Sequence, residues 1–313
     1  MKKIISIFIT FFLIIFIIIF LAIDNVNQTE NINGEKIKVV ATLFPQYDFV
    51  KQVGKDRVDV TLLLPPGIEA HTYDPTPKDI ININESDLFV YTGDYMEPWT
   101  KNIAANIKEK VDVIDVTKNI EIEKGNHNEE ESHDEHQHEH DPHVWLDISN
   151  AKIMVDNILE TLIKVDSQNR DYYTRNAKEY KEKLDGLNSD FEYVINTGKR
   201  NLICFGDKFS YMYFIHAYNL DYISVYDSCL AEAEPSISKI LEIEKKIEKE
   251  NLPVIFYESL SEGKIAKQIA KDIGIKALVF SSVHTVSSED MQKGATYLSV
   301  MEQNLVNLKE ALN

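Results

Sequence analysis

Residues 173–198 read YTRNAKEYKEKLDGLNSDFEYVINTG. Tyr173, Ala177, Tyr180, Leu184, Leu187, Phe191 and Val194 recur at alternating steps of four and three, which sets them on one face of an α-helix. Lys178, Glu179, Lys181, Glu182 and Lys183 fall on the opposite face. At ~1.5 Å per residue the pattern covers roughly 30 Å or more of helix. Gly198 suits its C-terminus. Gly186 interrupts the pattern at a position where glycine weakens a helix.

On both sides of this helix, short β-branched runs alternate with charged segments of helical length. Candidate strands are 38–43, 58–64, 87–91 and 111–116 before it, and 201–205, 222–226, 254–257 and 277–280 after it. Strands separated by helix-sized segments pair in parallel through helical crossovers. The expected fold class is therefore α/β, with two lobes, each a mostly parallel sheet flanked by helices. One long helix joins the lobes and resists hinge bending. The expected domains are a leader over 1–30, a first lobe over 31–167, the linking helix over 168–198 and a second lobe over 199–313.

The leader begins with Lys2 and Lys3, followed at 4–23 by twenty uncharged residues in which only Ser6 and Thr10 are polar. Cations before an apolar run and acids after it orient the following chain outward across a membrane. Twenty helical residues span roughly 30 Å, the hydrocarbon thickness of a bilayer. The run is longer than a usual secretory core and lacks an Ala-x-Ala cleavage pattern, so an uncleaved signal-anchor is favoured over a cleaved signal peptide. Either way the body works outside the cytoplasm, anchored to the outer face of the membrane or secreted.

Asp and Glu number 51 against 33 Lys and Arg, a net charge of −18 that becomes two units more negative without Lys2 and Lys3. Such a body argues against nucleic acid as a partner and suits cations. Two cysteines are too few for a disulfide framework or a thiolate metal cluster. Cys204 and Cys229 form either one bridge or two separate buried thiols.

Six of the nine histidines lie between 127 and 143. His127, His133, His136, His138 and His140 belong to an acidic segment at 121–140 that is too poor in apolar residues to fold, and reads as a loop. Imidazole suits zinc, copper and nickel, whereas calcium and magnesium prefer oxygen. The loop therefore fits weak collection of metal; its bland reading is a solvated acidic segment. A fixed site needs ordered donors. His71 lies on a proline-stiffened stretch between a strand and a helix, where it is either a ligand or a hydrogen-bonded loop residue. His143, in Asp141-Pro142-His143-Val144-Trp145-Leu146-Asp147, leaves the histidine-rich loop for apolar sequence.

Four features now carry a resemblance. They are Pro66-Gly67-x-x-x-His71-x-Tyr73-x-Pro75, Asp141-Pro142-His143-x-Trp145-Leu146-Asp147, the Tyr173–Asn176–Tyr180–Leu184 helix, and the aromatic pattern from Phe209 to Tyr218. Together they resemble the solute-binding component of zinc and manganese ABC importers, over roughly residues 37–313. The resemblance implies a metal site in the cleft between the lobes. The first lobe's two histidines map onto His71 and His143. The second lobe of the family usually supplies His or Glu just before the aromatic pattern and a carboxylate after a later strand. Here those positions hold Asp207 and His284, so the two roles are exchanged.

His71, His143, Asp207 and His284 total three imidazoles and one carboxylate, a set suited to tetrahedral zinc. Asp207 also fits a helix N-cap, and His284 a surface loop. Glu69, Cys229 and Glu232 are lesser candidates near the cleft, with Glu234 beside them. Glu258, at the end of a strand, is placed to orient a ligand imidazole. His216, in an apolar helical stretch, reads as a core or structural histidine. The expected function is a non-enzymatic binding protein that passes zinc, or alternatively manganese, to the permease of an ABC importer, and acts as a monomer. A surface adhesin is a further alternative. A zinc hydrolase using Glu69 or Glu258 as base is remote, since no His-Glu-x-x-His, phosphate loop or Gly-x-Ser-x-Gly occurs.

Overall fold

The structure is a computed structural model that describes residues 35–68, 70–71, 73–123, 140–226, 229 and 234–313. The leader, Glu69, Glu232, His127, His133, His136 and His138 fall outside the described residues. Among the described residues, no helix is long and apolar enough to cross a membrane.

The first half runs β1 (Ile37–Ala41), α1 (Phe44–Gly54), β2 (Val58–Leu62), α2 (Pro77–Glu85), β3 (Leu88–Tyr91), α3 (Gly93–Met96), α4 (Thr100–Ala104), β4 (Asp112–Asp115) and α5 (Ile148–Val165). The linking helix is α6 (Arg170–Thr197). The second half runs β5 (Leu202–Phe205), α7 (Met212–Tyr218), β6 (Asp221–Ser224), α8 (Ile237–Glu250), β7 (Val254–Tyr257), α9 (Lys264–Ile273), β8 (Lys276–Val279), α10 (Ser288–Gln292) and α11 (Tyr297–Leu312). Each half holds a four-stranded sheet, ordered β2-β1-β3-β4 and β6-β5-β7-β8, with every neighbouring pair parallel. The central strands β3 and β7 are buried apolar runs, as parallel strands covered on both faces must be. All eight strands lie within two residues of the bounds read from the sequence.

The linking helix buries the seven residues of the predicted stripe, and Asn176 with them. It packs on both halves. Toward the first, Tyr180 meets Phe49, with ring centroids 6.0 Å apart, and the Asn176 amide donates to Val53 O at 3.0 Å. Toward the second, Phe191 meets Phe214 at 5.3 Å and Tyr218 at 5.4 Å. Gly186 tolerates its place because a side chain there would meet open space.

The halves are also bonded directly. Asp48 of α1 accepts from Tyr180 OH at 3.2 Å and from the Tyr297 backbone N–H, at the start of α11, at 3.0 Å. The Trp145 indole N–H donates to Ser282 O at 2.7 Å, and Tyr297 OH donates to Trp145 O at 2.6 Å. Phe44 N donates to His284 O at 3.3 Å, and Gly67 N to Thr285 Oγ1 at 3.1 Å. One continuous hydrophobic core includes residues of both halves and of α6.

Glu97, just past α3, is 1% exposed and accepts from Thr42 Oγ1 and Thr92 N. Burial pushes its carboxyl up from 4.5 to about 8, and Asp115 adds to the shift, against those two hydrogen bonds. The folded protein thus holds a proton that the unfolded chain releases. The stability linked to it is intact below pH 4.5 and drains away as pH rises through about 8. Glu97→Gln should flatten that decline, so that its thermal midpoint at pH 8 equals or exceeds the parent's. A parent midpoint that does not fall between pH 4.5 and 8 would contradict this.

Candidate metal centre

Each candidate donor of the described residues sits on a loop leaving the carboxyl end of a strand. His71 follows β2, His143 follows β4, Asp207 follows β5, Cys229 follows β6, and Glu258 and His284 follow β7 and β8. Open parallel sheets bind ligands at these ends, near the point where strand order reverses.

The loop carrying His71 is fixed by its own residue types. Ile68 N bonds to Pro65 O at 3.2 Å, closing a turn with Pro66 and Gly67 at its centre. Proline presets φ at the first central position, and Gly67, at φ +85°, supplies the left-handed second one, as a type II turn requires. Beyond His71, Tyr73 OH donates to Asp79 Oδ2 at 2.8 Å, and Thr76 and Asp79 form a capping box at the start of α2. The His-x-Tyr-x-Pro spacing thus ties the loop to the next helix.

Asp141 arms His143. Its Oδ1 accepts from the His143 backbone N–H at 2.9 Å and from the ring Nδ1–H at 2.8 Å. That contact selects the tautomer whose Nε2 lone pair is open to a ligand, as a carboxylate behind a metal-bound histidine does. The His143 side chain is 1% exposed. Behind it a 3-10 turn over Val144–Leu146 buries Trp145, and Asp147 caps α5 by accepting from Ser149 N at 2.7 Å.

In the second lobe, Gly206 lets α9 approach the end of β5: a Cβ there would lie 2.7 Å from Ala266 Cβ and 2.8 Å from Ile255 Cδ1. Asp207 follows. It does not cap a helix, because α7 begins only at Met212; its Oδ1 accepts from Lys208 N at 2.9 Å, and its buried Oδ2 has no hydrogen-bond partner.

The His284 loop is clamped from several sides. Asn304 bonds both Ser281 N and Ser281 O at 2.8 Å. Glu258 Oε2 accepts from Ser282 N at 2.9 Å and lies 3.0 Å from Tyr211 OH. Ser282 Oγ shares a 2.5 Å hydrogen bond with His284 Nδ1. These bonds hold Val283 at φ +63° with no exposure, a conformation costing a β-branched residue about 1–3 kcal/mol. The strain sits one residue from His284.

The loops converge on one cleft of about 350 Å³, lined by His71, His143, Asp207, Cys229, Glu258 and His284, with Lys208 beside them. Ring centroids are 5.3 Å apart for His71 and His143, and 6.3 Å apart for His143 and His284. The donor atoms of His71, His143 and Cys229 lie within 4.8 Å of one another. Burial, then the neighbouring His143, His284 and Lys208, lowers the His71 pKa to about 2, so its imidazole is neutral at any physiological pH. Burial works to raise Glu258, but His284 and the hydrogen bonds from Ser282 and Ser259 outweigh it and leave the carboxyl lowered and charged. Imidazoles converging on one cleft, with Asp141 behind His143 and Glu258 behind the His284 loop, are an arrangement for a divalent cation.

Cys204 and Cys229 are both thiols, so the bridged alternative does not hold; Cys204 is wholly buried in the second lobe's core. Glu234 is exposed and does not line the cleft. His216 is not a core residue: α7 buries Met212, Tyr213, Phe214 and Ile215, which leaves His216 on the solvent side, 2.6 Å from Glu123. The His140 ring packs tilted against that of Tyr95, with centroids 4.4 Å apart. Two further partners complete the site. Asp141 is signalled in sequence by its spacing of two residues from His143, whereas Ser282 carries no signal, being an ordinary loop serine.

The sequence model of the family described as zinc-uptake complex component A, periplasmic, matches residues 39–311. The chain belongs to this family. It is 35% identical over 285 residues to the high-affinity zinc uptake system protein ZnuA of Bacillus subtilis, which covers 89% of this chain and 88% of that protein. It is 32% identical over 289 residues to the zinc-binding protein AdcA of Streptococcus pyogenes, covering 88% of this chain and 56% of that longer protein. Among solved structures, the Zn(II)-bound ZnuA-like domain of Streptococcus pneumoniae AdcA superposes with a TM-score of 0.76 at 29% identity, over 89% of this chain and 99% of that one. The family is one of solute-binding proteins, and two parallel-sheet lobes on a long helix are its fold.

Proposed function

We propose that this chain is the extracytoplasmic zinc-binding component of an ABC importer, capturing the ion in its cleft and delivering it to the membrane permease. The observation that carries this reading is the meeting of His71, His143 and His284, from both lobes, in one cleft. His143 binds through Nε2, because Asp141 occupies Nδ1; His284 binds likewise, with Nδ1 on Ser282. The second lobe adds an anionic fourth donor, for which Asp207 and Cys229 both line the cleft. Glu258 holds the His284 loop. Three imidazoles favour zinc over manganese, which takes more oxygen. A filled set of four leaves no position for an activated water, so the role is binding and not catalysis. The family's periplasmic description and the outward-directing leader support a place outside the cytoplasm.

The histidine-rich segment collects metal weakly beside the cleft site. Its ends are already adjacent, since Asp141 N bonds to Glu123 O at 3.0 Å and Glu123 N bonds to Tyr213 OH at 2.8 Å. Residues 124–139 can therefore be replaced by a short glycine linker. A zinc titration of metal-stripped protein should give one tight site and several weak ones. The shortened chain should keep only the tight one; loss of that site with the loop would overturn the assignment to the cleft.

A further inference from the structure

We propose that the fourth donor is the thiolate of Cys229, making the centre a three-histidine, one-cysteine site; this rests on the reading of the cleft as a zinc centre. Among the described residues, the group of metal-ligating atoms that falls within 4.8 Å is His71, His143 and Cys229; His284 and Asp207 line the same cleft but both fall outside that group. Tetrahedral zinc, with nitrogen at ~2.0–2.1 Å and sulfur at ~2.3 Å, holds its donors roughly 3.3–3.6 Å apart. The three atoms need to close by only on the order of 1 Å to seat an ion.

Asp207 has a different place in the same arrangement. Its Oδ1 is held by Lys208 N, and its second oxygen faces no hydrogen-bond donor. Zinc with three neutral imidazoles and one thiolate keeps a charge of +1. The Asp207 carboxylate, lining the same cleft, offsets that charge without entering the coordination sphere. Such compensation suits a partly enclosed site, where uncompensated charge is costly. The soft sulfur also sets the cargo: zinc, cadmium and Cu(I) accept thiolate, whereas manganese prefers hard oxygen donors.

Cobalt(II) in place of zinc tests this directly, because a sulfur–cobalt bond gives an intense near-ultraviolet charge-transfer band that nitrogen and oxygen ligands do not. The parent protein loaded with one cobalt should show the band. Cys229→Ser should lose it while still binding cobalt, with zinc affinity lowered by roughly 100-fold or more. Asp207→Asn should retain the band. Thiol alkylation gives a second readout, since burial pushes the Cys204 thiol far up and leaves it inert. One zinc per chain should then protect the single reactive thiol. Stoichiometric cobalt binding without the band, or a thiol still alkylated in the zinc-loaded protein, overturns the Cys229 assignment alone. Absence of any tight zinc or cobalt site overturns the metal-centre reading, and this inference with it.

Discussion

His143→Ala lowers zinc affinity by at least ~100-fold and removes the stabilisation that zinc confers on the parent. A residue behind a metal ligand already affects affinity by about 10–100-fold, and His143 is in the proposed ligand set itself. It is 1% exposed, its Nδ1 is fixed by Asp141, and its ring sits between those of His71 and His284. An alanine removes that nitrogen donor and leaves Asp141 without the ring it holds. Zinc at 100 times its Kd stabilises a one-site protein by about 2.7 kcal/mol, or about 5–11 °C in midpoint for a chain of this size. Calorimetric titration and paired melts with and without zinc measure both quantities. Asp141→Asn should fall between parent and alanine variant, because it loosens the ring without deleting it. If His143→Ala bound zinc as tightly as the parent, the cleft would not be the site.

The second large effect lies at Trp145. Trp145→Ala should destabilise the protein by about 3–5 kcal/mol, a fall of roughly 6–20 °C in midpoint. The ring is wholly buried, and its N–H satisfies Ser282 O across the lobe boundary. Truncation therefore opens a cavity and strands a buried carbonyl together. Trp145→Phe keeps most of the volume and loses only the bond, at a cost nearer 1–3 kcal/mol. Because Ser282 also holds His284, and the Trp145 ring lies 5.5 Å from that of His143, the alanine variant should bind zinc more weakly as well. Urea unfolding gives the stability and the same titration gives the affinity. An unchanged urea midpoint would mean that this contact does not join the lobes.

The fold was largely legible because its signals are periodic. The stripe from Tyr173 to Val194 and the apolar runs of the strands repeat at the spacing of helix and sheet, so burial on one face could be read along the chain. His71 and His143 were legible for another reason: their neighbours in sequence, Pro66, Gly67, Tyr73 and Asp141, are also their neighbours in space. The second lobe's donors lack that property. Whether Cys229 or Asp207 approaches the histidines depends on how loops after β6 and β5 lie against the other lobe, and loops carry no period. His216 misled for a related reason. Its apolar neighbours described the helix correctly, but a seven-residue helix has too few turns to reveal which side a single histidine takes.

The bonds from Phe44 to His284 and from Gly67 to Thr285 mean that prising the halves apart would break contacts made by the metal-site loops themselves. This molecule is thus no clamshell. With a rigid strut at its back and stitches across its mouth, the parts left to yield are short surface segments, whose motions run from nanoseconds to microseconds. At the proposed site, an ion would then enter and leave through small shifts of the residues around it, with the two sheets keeping their places.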